Sequence, residues 1–114
     1  MLPAGPAKLL SVYLNEGDRW HHVPLYLALM ERAREAGLAG VTLLHTMGGV
    51  GSHGRVHTGT SDFLMVDMPV VVQIVDSAET LVEFLPIVQE MVPEGLITLS
   101  DLLVVRDGRK KSGE

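Results

Sequence analysis

The chain of 114 residues contains no cysteine. Disulfides and thiolate metal sites are thereby excluded, and the composition suits a reducing cytoplasm. Aromatic residues amount to only 4%, so a core must be packed mainly by leucine and valine. No apolar run approaches the ~20 residues that a membrane-spanning helix requires. The opening Met1-Leu2-Pro3-Ala4-Gly5-Pro6 has neither the charged start nor the apolar centre of a signal peptide. An excess of basic charge is also missing: the formal net charge is −5, which argues against a broad nucleic-acid-binding face. These absences lead to the expectation of a cytoplasmic protein with no membrane insertion and no nucleic-acid partner.

What the chain does have is 46% hydrophobic residues, enough for one well-packed domain. The expected organisation is an N-terminal tail over 1–7, a domain over 8–106 and a basic C-terminal tail over 107–114. Lys8 to Leu14 reads as a strand, with Leu10, Val12 and Leu14 on one face and Leu9, Ser11 and Tyr13 on the other. Residues 15–22 form a polar loop. Pro24 suits the first turn of a helix whose apolar positions are Leu25, Leu29, Ala33 and Ala36, with Gly37 as its stop.

Val41 to Thr46 is the second expected strand and Val70 to Val75 the third, nearly all β-branched. Asp76 or Ser77 can cap the next helix, whose stripe is Leu81, Leu85, Val88 and Val92. Pro86 falls inside it and is expected to bend it. Leu96 to Val105 is the last extended region. The order β-α-β, long link, β-α-β predicts an α+β, ferredoxin-like βαββαβ sandwich: a four-stranded antiparallel sheet with two helices on one face. The strands are apolar on both faces, as Val70, Val72 and Ile74 alternate with Val71 and Val75. The face that the helices leave open must therefore be buried by another subunit, which predicts a closed homo-oligomer.

The chemistry of the chain concentrates between His45 and Thr60, which hold five of the twelve glycines and three of the five histidines. Such glycine density permits positive φ and close backbone approach, and freed N–H groups can line an anion site. Met47-Gly48-Gly49-Val50-Gly51 lacks the Lys-Ser/Thr ending of a P-loop and the spacing of a dinucleotide fingerprint. His53, Arg55 and His57 alternate, so in an extended segment they share a side. Arg55 can then clamp a phosphate or carboxylate. His53 and His57, with His45 or His21, offer the alternative of a metal site. Arg19 and Trp20 are candidates for the wall of a ligand cleft near a subunit boundary, and Arg106 opens a basic cluster with Arg109, Lys110 and Lys111. No nucleophile motif such as G-x-S-x-G is present, and the expectation is a binding protein rather than an enzyme.

Several blocks, taken in order, resemble a family of small PII-like proteins. They are Tyr13-Leu14-Asn15-Glu16-Gly17-Asp18-Arg19-Trp20, Pro24-Leu25-Tyr26 and the run from Arg34 to Thr42. They continue with Gly48-Gly49-Val50-Gly51-Ser52-His53-Gly54-Arg55-Val56-His57-Thr58, Leu85-Pro86 and the run from Val92 to Asp101. The resemblance covers about residues 8–106. It implies a subunit assembled as a homotrimer, like the nitrogen-regulatory PII signalling proteins. In those proteins ligands lie in the clefts between subunits, and a long loop after the second strand touches a target protein. Residues 48–67 occupy that position here, and their glycine-rich base is implied to line a cleft for a small anionic metabolite, an adenine nucleotide above all.

Taken together, the loop chemistry and the resemblance give Gly48, Gly49, Gly51, His53, Gly54, Arg55, His57, Arg19, Trp20 and Arg106 as the expected ligand-binding residues. The modifiable tyrosine of the PII loop is missing, since the tyrosines are Tyr13 and Tyr26. Arg55, Arg106 and Lys110 are candidates for gripping phosphate by charge alone, so ATP is not singled out, and AMP, ADP, a cyclic nucleotide or no nucleotide remain open. No required cofactor is expected. The related trimeric copper-tolerance proteins give the metal alternative a precedent, and a ligand-free trimeric adaptor is the third reading.

Overall fold

The structure, a computed structural model, describes residues 2–45, 49–50, 56–57 and 68–108. Its elements are β1 (Gly5–Asn15), β2 (Arg19–Trp20), β3 (Val23–Pro24), α1 (Leu25–Glu35), β4 (Gly40–His45), β5 (Gly49–Val50), β6 (Val56–His57), β7 (Pro69–Asp76), α2 (Ala78–Met91) and β8 (Ile97–Val104). The main sheet has the order β4–β7–β1–β8, and every neighbouring pair is antiparallel. Each strand–helix–strand unit thus brackets a strand of the other, the split βαβ arrangement of the ferredoxin-like fold.

The alternation of β1 decides which side is covered. Leu10, Val12 and Leu14 pair with Ile74, Val72 and Val70 of β7, and all six are buried beneath the two helices. From α1 the core receives Leu25, Leu29 and Ala33, as the spacing predicts. Ala36, expected on the same stripe, is exposed and forms the C-cap, and Gly37 follows with φ +77°. Pro24 is the N-cap rather than a first-turn residue, and the N–H of Leu25 donates to the carbonyl of Asp18 at 2.8 Å.

In α2 the buried residues are Leu81, Phe84, Val88 and Met91. The expected stripe through Leu85 is rotated, because Phe84 and Met91 fill more of the core than Leu85, which is half-buried. Ser77 is the N-cap, its hydroxyl accepting from the N–H of Thr80. Asp76 caps in another sense: its carboxylate accepts from the N–H groups of Ser77 and Ala39, tying the α1–β4 link to the β7–α2 junction. The helix runs through Pro86 without interruption. Pro86 is exposed, so the Val82 carbonyl that loses its partner lies on the solvent side.

Among the described residues no helix lies on the other face of the sheet. That face presents Leu9, Tyr13, Leu44, Val71, Val75, Leu102 and Val104 around Ser11 and Gln73, as the pairing registers require. Tyr13 and Leu44 are exposed there.

Two local features were not visible as elements in the sequence. The first strand begins at Gly5, ahead of the expected Lys8, so Ala7 is buried within the sheet. The polar loop after β1 is a tight hairpin, in which Arg19 pairs with Pro24 and Trp20 with Val23. Its two turn residues, His21 and His22, both have positive φ, at 47° and 73°. That geometry belongs to the hairpin turns that favour Asn-Gly, and a residue carrying a Cβ is strained in it.

Two outcomes follow from the backbone. Replacing His21-His22 with Asn-Gly should raise stability by ~1 kcal/mol, read as a higher urea midpoint. Gly95 has φ +128°, and an added Cβ would lie 2.8 Å from the Tyr13 carbonyl oxygen. Gly95→Ala should therefore lower the same midpoint, by ~2 kcal/mol or more, while Gly108→Ala at the exposed end should change it far less.

Candidate functional site

The antiparallel sheet sorts the links of the chain onto its two ends. At one end lie the β1–α1 link, the end of β4, the start of β7 and the α2–β8 link. Asn15 pairs with Pro69, and His45 with Val70. The N–H of Tyr13 donates to the Leu96 carbonyl at 2.9 Å. At the other end lie the α1–β4 link, the β7–α2 junction and both termini of the described core, where Gly5 pairs with Val104. The eleven residues of β1 separate these ends by about 33 Å.

The first end carries Arg19 and Trp20. They line a cleft of about 250 Å³ with Asp18, Leu25, Glu90, Met91, Pro93 and Glu94. The link holds its shape by local bonds: the Asn15 N–H donates to the Asp18 carboxylate at 3.0 Å, and the Asp18 N–H to the Asn15 carbonyl at 3.0 Å. Trp20 packs against the core and meets the ring of His21 edge-on, with centroids 4.6 Å apart. Among the lining residues three carboxylates, Asp18, Glu90 and Glu94, accompany one cation, Arg19. The C-terminal end of α2, which has no basic residue in its last turn, adds partial negative charge. The apolar floor can receive a flat ring, but the rim repels a phosphate.

The glycine-rich segment leaves the sheet at this same end, since β4 stops at His45 and β7 starts at Pro69. Within it, β5 and β6 pair antiparallel, with Gly49 opposite His57 and Val50 opposite Val56. Two of the expected site residues are thus brought face to face along the backbone. Gly48, Gly51, His53, Gly54 and Arg55 lie outside the described residues, as does the side chain of His57.

Arg106 does not join them. It sits at the far end, lining a larger cleft of about 390 Å³ with Leu2, Val75, Val104, Asp107 and the whole α1–β4 link from Gly37 to Gly40. Arg19 and Trp20 are therefore separated from Arg106 by the length of the sheet, and no single subunit brings the expected set together. Among the described residues no three His, Asp or Glu side chains cluster in a way that would hold a metal ion; His53 and the side chain of His57, on which the metal reading rests, fall outside them. Sequence reasoning missed the α1–β4 link as a cleft wall, because Gly37-Leu38-Ala39-Gly40 reads only as a helix stop. It also missed Glu90 and Glu94, which look like ordinary solvent-facing positions until the end of α2 is placed beside Trp20.

Known proteins share this architecture. A UPF0166 protein from Aquifex aeolicus is 35% identical over 98 residues, which is 86% of this chain and 92% of the relative. CPII, a nitrogen regulatory PII-like protein from Thiomonas intermedia whose structure is described bound to ADP, AMP and bicarbonate, superposes with a TM-score of 0.59. It is 23% identical, covering 93% of this chain and 94% of that one. A PII-like signaling protein from Thermus thermophilus gives a TM-score of 0.64 at 18% identity, covering 91% and 94%. At these identities the likeness shows a PII-like fold. Among the described residues no helix is long and apolar enough to cross a membrane. Residues 7–104 match the DUF190 family, described as uncharacterized ACR, and this chain is a member of that family.

Proposed function

We propose that the protein is a PII-like regulatory module that binds an adenine nucleotide between subunits and contacts a target protein through residues 48–67. Position carries this reading. The glycine-rich segment leaves β4 beside the Trp20 cleft, in a fold shared along nine-tenths of the chain with CPII, which is described with ADP, AMP and bicarbonate. The opposed placement of Trp20 and Arg106 supports a site between subunits. A head-to-tail contact in a closed ring sets unlike ends of neighbouring copies together, and Arg106 reaches the Trp20 end only that way.

The division of labour follows from charge. The apolar floor of the Trp20 cleft suits a base, and its acidic rim suits sugar hydroxyls, which donate hydrogen bonds to carboxylates. Phosphates belong instead against the backbone N–H groups around Gly48, Gly49 and Gly51, with Arg55, and with Arg106 from a neighbouring subunit. The protein acts by binding rather than catalysis. A nucleotide that binds one arrangement of residues 48–67 more tightly than another shifts the surface offered to the target by that difference in affinity. The sheet face on which no described helix lies, where Tyr13 and Leu44 are exposed, supports a homotrimer in which Leu9, Tyr13 and Val75 meet their counterparts. The cytoplasm, where adenine nucleotides are abundant, is the proposed compartment.

Calorimetric titration with AMP, ADP, ATP and cyclic AMP should show saturable binding near one nucleotide per subunit. Arg55→Ala should weaken it by more than about tenfold with the oligomer intact. Heatless titrations with all four nucleotides would overturn the reading. Light scattering should give a trimer mass for the native chain. Tyr13→Glu, which changes a side chain exposed in the single subunit, should shift that mass towards the monomer without unfolding; an unchanged mass would remove the open face from the interface.

A further inference from the structure

The pairing registers sort the polar residues of the main sheet by face. The charged residues of its strands, Lys8, Asp76 and Asp101, all fall on the side that the helices occupy, as does His45. The opposite face of these strands carries no charged residue. Across its middle runs one polar row: Thr42 of β4 stands opposite Gln73 of β7, Gln73 opposite Ser11 of β1, and Ser11 opposite Thr98 of β8. Apolar residues flank the row, with Leu9 and Val75 on one side and Tyr13, Val71 and Leu44 on the other. Ser11 is only 4% exposed, and among the described residues its hydroxyl has no hydrogen-bond partner. Gln73 beside it is half-buried, and its carboxamide has none either. A buried polar group without a partner is costly, so the single subunit is incomplete at the centre of this face.

The absence of charge points to what completes it. Where like faces meet around a symmetry axis, a charged residue would confront its own copy; a face without charge meets itself at no such cost. The polar row is self-complementary too. A carboxamide both donates and accepts, so Gln73 residues around a closed ring can satisfy one another. One N–H donates to the carboxamide oxygen of the next copy, and the second N–H is left for the Ser11 hydroxyl. We propose that Gln73 and Ser11 pin the register in which the open faces of neighbouring copies meet. Hydrophobic contact is non-directional, so Leu9, Tyr13, Leu44 and Val75 alone do not fix how the faces align. A slip of one copy against the next would set Gln73 against apolar side chains and leave its carboxamide unbonded. Fixing alignment is the best-attested use of a buried polar position in an otherwise apolar interface. The pin rests on the homotrimer reading of this face and is independent of the nucleotide reading.

The chain has two glutamines, Gln73 and Gln89, and Gln89 is exposed on α2, so each molecule carries its own reference. The measurement is solvent exchange of the two side-chain amides by NMR, with light scattering for the mass. In the native oligomer the Gln73 amide should exchange about tenfold more slowly than the Gln89 amide, the scale of one hydrogen bond. Tyr13→Glu, expected to release monomers, should bring the two rates together. Gln73→Leu keeps the bulk and removes the polar group, so it should still associate but give more than one mass. Three results each overturn the pin: equal rates in the native oligomer, slow Gln73 exchange that persists in a Tyr13→Glu monomer, or a single native mass for Gln73→Leu. The native rates decide the matter should either variant fold poorly. A monomeric native chain overturns the pin and the homotrimer reading together, whereas equal rates in a trimer overturn the pin alone.

Discussion

The register of β1 against β7 sets Leu10 opposite Ile74, Val12 opposite Val72 and Leu14 opposite Val70. These two strands are the centre of the sheet, and both helices lie on the surface that these six side chains create. A slip of β1 by one residue would turn Ser11 inward and put Leu10, Val12 and Leu14 on the open face. With so few aromatic residues available, the core has Phe84, with Trp20 and Tyr26 packed against it, to supplement its aliphatic packing, so correct interdigitation of leucine and valine must supply most of the burial. The same register determines which links meet at each end, and through them where any ligand can be received.

The two ends are chemically unlike. One gathers Trp20, an acidic rim and both ends of the glycine-rich segment. The other gathers Arg106 and a glycine-bounded link that Asp76 holds through the Ala39 N–H. A subunit with unlike ends, and with no described helix on one sheet face, suits cyclic assembly, in which each interface is built from two different surfaces. The strained His21-His22 turn lies at the first end. A turn that departs from the residues its geometry favours marks a place where stability has been given up locally, and such places concentrate at sites that bind or switch.

Much of the architecture was readable from pattern alone. The alternation of Lys8 to Leu14, the helical spacing of Leu25, Leu29 and Ala33, and the β-branched run before Asp76 each state their element, because periods of two and 3.6 residues leave different marks. Pattern was weaker where two periods compete: α2 offers apolar residues at Leu81, Phe84, Leu85, Val88, Met91 and Val92, and volume in the core selected Phe84 and Met91 over Leu85. The 15–22 link read as polar loop because a two-residue turn of histidines carries none of the usual Asn-Gly signal. Arg19 and Trp20, singled out in the sequence, line the cleft at the end of α2, but what they face there depends on the placement of Glu90 and Glu94 and is not encoded near them in the chain.

The sequence by itself determined the element order, the buried faces of the strands and the presence of one unusual glycine- and histidine-rich segment, since each is encoded in residues near one another in the chain. Tertiary structure alone decided which of the notable residues share a place. Arg106 and Trp20 look equally available in the sequence, yet antiparallel pairing sends their strands in opposite directions and leaves them a sheet length apart. Ser11, Thr42, Gln73 and Thr98, scattered along the chain, fall into one row only through the pairing of their strands. Periodicity reports which way a side chain points, but only the pairing of strands reports what it points towards.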